Sequence, residues 1–126
     1  MTPRPRERGS IALEQVIIWP VVIATIVAII QGALWFHARN VALSAAQEGA
    51  RAASVETRGD GAAHAKAFIA AAGGTKVMTG ANVSQHDTGT TVTVTVSGSA
   101  PSLVPGMAGP SFSQSSTAPL KRWTTR

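Results

Sequence analysis

Between Glu14 and Arg39 the chain carries no Asp, Glu, Lys or Arg, and the centre of this stretch reads Val16-Ile17-Ile18-Trp19-Pro20-Val21-Val22-Ile23-Ala24-Thr25-Ile26-Val27-Ala28-Ile29-Ile30. About 20 apolar residues rising about 1.5 Å each cross a hydrocarbon layer of ~30 Å, so the uncharged run over residues 15–38 predicts a membrane-spanning helix. A secretory signal has a shorter apolar core followed promptly by a small-residue cleavage site. Here Trp35, Phe36, His37 and Arg39 occupy the place where that site would fall, so the span is expected to stay on the mature protein. Pro20 removes a helical donor and crowds the carbonyl of Val16, which predicts a bend or a loosened turn early in the span.

Helical patterning continues past the span. Ala42, Ala46, Gly49 and Ala53 recur on one face, while Ser44, Gln47, Glu48 and Arg51 share another, with Glu48 and Arg51 placed to pair. A stripe of small residues permits close helix packing, either on the chain's own C-terminal domain or between subunits. Thr57-Arg58-Gly59-Asp60-Gly61 then breaks the helix. Asp60 is a cap for a second helix over residues 62–72, with Ala65, Phe68, Ile69 and Ala72 as its apolar face and Gly73-Gly74 as its stop.

The period then changes to two. Residues 76–86 read as extended, Asp87-Thr88-Gly89 suits a hairpin loop with a glycine bulge, and Val92, Val94 and Val96 alternate with Thr91, Thr93 and Thr95 as in a half-buried strand. From Gly98 the prolines, serines and glycines predict loops, with a short edge strand about residues 112–118. Lys121-Arg122-Trp123 forms a basic tail, either exposed or touching lipid headgroups or a partner. The expected fold class is a membrane-anchored α+β protein: a long N-terminal transmembrane α-helix, then a small domain with a second helix and an antiparallel β-hairpin or sheet. The expected divisions are a leader at 1–9, the long helix at 10–57 and an outer domain at 58–126.

Composition narrows the class further. The 126 residues carry a formal net charge of +5, with 44% hydrophobic and 13% charged positions, which suits one small domain and not a solvated disordered chain. With no cysteine, disulfides, thiolate metal sites and cysteine nucleophiles are excluded. Three Trp, three Phe and no Tyr leave an outer domain that must pack on alanine and valine. Arg4, Arg6 and Arg8 against Glu7 place the N-terminus in the cytoplasm, and everything after Asn40 outside.

Sites for chemistry are sparse. His37, His64 and His86 do not pair with a further ligand at helix spacing, and His86-Asp87 reads as turn chemistry because neighbours on a strand face opposite ways. Gly73-Gly74-Thr75-Lys76 lacks the spaced first glycine of a phosphate loop and reads as a helix stop. No catalytic residue, metal or cofactor is expected, and the protein is expected not to be an enzyme. Once residues 1–9 are removed, eight Lys and Arg face five acids, a net +3, so no nucleic-acid partner is expected either.

One carboxylate remains to be explained. The string Arg8-Gly9-Ser10-Ile11-Ala12-Leu13-Glu14, a basic leader, a glycine and then a glutamate five residues on, precedes the apolar run. Taken alone, Glu14 can reach the headgroups and meet the helix N-terminal dipole, with Ser10 as cap. Taken together, the string resembles the type III signal of type IV pilins and pseudopilins. With Pro20 and Ala45-Ala46-Gln47-Glu48-Gly49-Ala50-Arg51-Ala52-Ala53, it resembles the TadE-like family, minor pilins or pseudopilins of the tight-adherence (Flp, type IVb) pilus system.

The resemblance is strongest over residues 8–54. It implies cleavage between Gly9 and Ser10 by a prepilin peptidase, and contacts with other pilins as a homo- or hetero-oligomer. It also implies an assembly ATPase and platform proteins as indirect partners, and a site in the cytoplasmic membrane or the pilus. Glu14 would then neutralise the new Ser10 α-amine of a neighbouring subunit. Gln15 stands where major Flp pilins usually carry an aromatic residue, which favours a minor component. The alternative reading is a single-pass membrane protein whose outer domain binds a ligand or partner unrelated to pili.

Overall fold

The computed structural model describes residues 5–55 and 60–121, with side chains from residue 9 onward. Helix α1 runs Pro5–Val55 and α2 runs Gly61–Ala72; a short 3-10 turn at Gly74–Lys76 leads into strands β1 (Thr79–Asp87), β2 (Thr91–Ser99) and β3 (Ser111–Pro119). The fold is the α+β architecture expected: a long apolar helix, a second helix and an antiparallel sheet. Arg4, the Thr57-Arg58-Gly59 break and the Arg122-Trp123 part of the tail lie outside the described residues.

α1 starts upstream of Ser10, because a proline fits the first turn, where its missing N–H has no helical acceptor to lose. It also passes through Pro20 without ending. The α2 cap is made by Asp60, whose carboxylate accepts the Ala63 N–H at 2.9 Å, and the helix stops at Gly73, which takes φ +130°.

The three strands form a meander in the order β1-β2-β3, with β2 in the centre. Val92, Val94 and Val96 are fully buried on the inner face, where α1 and α2 cover them. On the outer face the Thr93 and Thr117 hydroxyls pair at 2.8 Å. The core joins Val94 and Val96 to Ala38, Ala42, Ala45, Ala46 and Ala50 of α1, Ala65 and Ile69 of α2, and Met78 and Phe112. The small domain therefore uses the C-terminal half of α1 as one of its walls.

Alanine packing brings backbones close. A Cβ on Gly49 would lie 2.5 Å from the Gly61 carbonyl oxygen, and one on Gly61 would run into that of Gly49, so α1 and α2 cross at reciprocal glycines.

Several expectations change. The apolar face of α2 is Gly61, Ala65 and Ile69, one turn apart, while Phe68 is 37% exposed and Ala72 is exposed. Contact through small residues makes this face narrow, leaving Phe68 to one side. The extended stretch begins at Thr79, because Lys76 belongs to the 3-10 turn and Val77 and Met78 turn inward.

The β1–β2 hairpin has a two-residue loop in place of the expected bulge. Thr88 N–H donates to the Thr91 carbonyl at 3.0 Å, leaving Gly89 and Thr90 as the turn, and Gly89 takes φ +84°. The irregularity in this ladder sits at its other end, between Thr79 and Asn82. β3 is the edge strand expected, one residue longer at each end, and pairs with β2 along its whole length, with Phe112 opposite Gly98, so the aromatic ring covers the gap that the glycine leaves.

Candidate assembly surface on the N-terminal helix

The two ends of α1 meet different surroundings. No residue from Gly9 to Ile30 is buried, and Ile11, Leu13, Ile17, Ile23 and Ile29 are more than half exposed. Covering one such side chain is worth about 1.5–3 kcal/mol, so a rod bare on all sides is a surface for lipid or for other helices. Residues 11–30 rise about 30 Å at the α-helical pitch, enough to cross a bilayer core. α1 is long and apolar enough to be a membrane anchor.

Packing begins at Gln31, short of the expected end of the span. The Gln31 amide donates to the Pro101 carbonyl at 2.8 Å and accepts the Leu103 N–H at 3.0 Å, Trp35 donates its indole N–H to Ser111 O at 3.3 Å, and Ala38 is fully enclosed. A lone amide in an apolar run needs partners, and this need was the only sequence signal for the contact.

A polar side chain in an apolar rod must find a partner or be left wanting one. Trp19 donates to Gln15 Oε1 at 2.7 Å, and the Thr25 hydroxyl donates to the Val21 carbonyl at 2.8 Å, so each is satisfied within α1. Gln31 is satisfied by the loop. Glu14 is exposed, and among the described residues its carboxylate has no partner. Ser10 lies one turn before it on the same face. Gly9 and Ser10 are both helical and exposed, and open space surrounds the position of a Cβ on Gly9.

The small-residue stripe has another location. Ala42, Ala46, Gly49 and Ala53 all face the chain's own sheet and α2 and are buried there. Of the two readings open in the sequence, the structure places this stripe inside the subunit. On the opposite face Arg51 and Glu48 approach to 4.0 Å across exposed surface.

The remaining polar residues are dispersed. His37 is on α1, His64 on α2 and His86 on β1, all exposed, and among the described residues no three of His, Cys, Asp and Glu gather as a metal site. The Asp87 carboxylate accepts the Gly89 N–H at 2.6 Å, which fastens the hairpin turn.

In comparison with known families, residues 9–51 match the family model described as TadE-like protein. The match starts at Gly9 and lies wholly within α1, leaving α2 and the sheet outside it. Comparison with curated proteins and with solved structures gives no match.

Proposed function

From the premise that residues 9–51 are TadE-like, and hence that the chain has a function associated with the tight-adherence pilus, we propose that it is a minor pilin or pseudopilin of that type IVb system. The observation that carries the reading is Glu14, an exposed carboxylate with no partner among the described residues, at the base of a bare apolar rod and one turn from Ser10. The N-terminus lies in the cytoplasm, the rod waits in the cytoplasmic membrane, and the small domain stands outside it.

A prepilin peptidase cuts after Gly9. In the intact chain this bond is helical, and glycine there lowers helix stability by about 1 kcal/mol relative to alanine, so the opening turns unwind most easily at the cut. Cleavage turns the Ser10 nitrogen into an ammonium. A lone carboxylate taken into an apolar helix bundle costs several kcal/mol, and a facing ammonium offsets much of that. Glu14 of one subunit therefore selects the axial position at which it meets Ser10 of a neighbour, and the apolar rods supply the lateral contact. The role is structural and not enzymatic, and the assembly ATPase and platform proteins act on the rod indirectly.

Co-expression with a prepilin peptidase followed by N-terminal sequencing tests this. The mature chain should begin at Ser10. An intact leader would overturn the reading in favour of a single-pass protein with an outer binding domain.

A further inference from the structure

The loop between β2 and β3 is uncharged, apolar at its tip and fixed beside the end of the bare rod. Leu103, Val104 and Met107 are 44%, 42% and 65% exposed, although the domain behind them has a well-enclosed core. From residue 88 to residue 120 the sequence has no Asp, Glu, Lys, Arg or His, so no side chain of the loop itself resists entry into an apolar phase through charge.

At the three apolar positions of the loop the backbone donors are met. Pro101, Pro105 and Pro110 have no N–H. The Leu103 N–H is taken by Gln31, that of Val104 by the Ser102 hydroxyl and that of Met107 by the Val104 carbonyl. Irregular backbone is tolerated near hydrocarbon where its polar groups are met, and the interfacial region leaves water for the other loop amides. Position completes the case, because both Gln31 hydrogen bonds hold the loop immediately beyond Ile30. Trp35 follows one turn on, with the Arg39 guanidinium 5.6 Å from its ring, the order of groups found where a helix leaves a bilayer.

We propose that the 101–110 loop is a second membrane contact, inserting Leu103, Val104 and Met107 into the interfacial region of the lipid leaflet from which α1 emerges. Its partner is the lipid surface itself, continuous with the lipid around the rod. Two contacts, one threaded and one lateral, restrict the tilt of the small domain on its stalk. The inference rests on α1 spanning the membrane and not on the pilus role.

Because the chain has no cysteine, single spin labels can be introduced cleanly. Full-length Ile23→Cys, Met107→Cys and Thr90→Cys are labelled in dilute phosphatidylethanolamine–phosphatidylglycerol vesicles, and accessibility to oxygen and to a water-soluble nickel chelate is compared. Thr90 lies at the opposite end of the sheet, near the C-terminal end of α1, and serves as the aqueous reference. The expected result is an oxygen-to-chelate ratio at Met107 severalfold above that at Thr90 and close to that at Ile23. Val104→Cys should repeat it, which guards against a local disturbance at Met107. A lipid-embedded Ile23 with a chelate-accessible Met107 overturns the loop contact alone, whereas a chelate-accessible Ile23 overturns the membrane span and the loop contact together. A Met107 label shielded from both reagents means a protein covers the loop, as a second copy would, and likewise overturns the proposal.

Discussion

One helix presents two kinds of apolar surface. Residues 11–30 of α1 carry large, mostly β-branched or leucine side chains on every side, and none is buried; residues 38–53 carry small side chains, and a single face is enclosed. The difference is one of reach. A ring of isoleucines and valines holds neighbours at a distance and is indifferent to direction, which suits lipid. An alanine and glycine stripe lets a sheet and a second helix approach until backbones touch, which fixes one arrangement. Gln31 marks the boundary, spending its amide on the loop between β2 and β3. Anchoring and domain building are thus consecutive tasks of one continuous helix, and the family match spans both.

Substitution at the glycine crossing should break the comparison most sharply. Gly49→Val drives new carbons into the Gly61 carbonyl and should destabilise the small domain by about 3 kcal/mol or more. Ile23→Ala, in the bare half, should change domain stability by less than about 0.5 kcal/mol. Denaturant titration in detergent, followed by protease resistance of the sheet, separates them, and equal losses would erase the distinction between the halves.

Next in size is Gln31→Leu. It leaves the Leu103 N–H and the Pro101 carbonyl without their partner, at a cost of about 1–3 kcal/mol. Faster amide exchange at Leu103, with exchange in β2 unchanged, is the expected signature. Phe112→Ala should cost a similar amount or somewhat less than a fully enclosed aromatic would, because Phe112 lies at the sheet margin against Gly98. A thermal melt checks it. The smallest effect belongs to Arg51→Ala, since a 4.0 Å pair on exposed surface should contribute no more than about 0.5 kcal/mol. A larger shift in that melt would mean that Arg51 acts through something other than Glu48.

The parts legible in the sequence are those where chemistry and period agree. The uncharged run, the Asp60 cap, the glycine stop after α2 and the valine alternation of β2 each tie a residue type to a backbone need, and each lies where it was read. β3 was legible to within one residue at each end, but its register was not, because Ser, Thr and Gln fill it and Phe112 is its one large apolar residue. That register comes from pairing with β2, which local pattern does not encode. Phe68 is apolar and at helical spacing, yet the small side chains already close that face, so spacing alone does not bury it. In the candidate assembly surface, Glu14 stood out as the one acid at the edge of an apolar run, whereas the loop residues Leu103 and Met107 did not, since only the fold brings them to Gln31.

In the proposed assembly role Glu14 acts between subunits and not within one. The direct measurement compares wild type with Glu14→Ala in cells carrying the peptidase and assembly machinery, scoring membrane insertion and incorporation into assembled complexes separately. Insertion should be unchanged, because residues 15–30 still supply the apolar rod, while incorporation should fall severely. Incorporation equal to wild type would contradict the account.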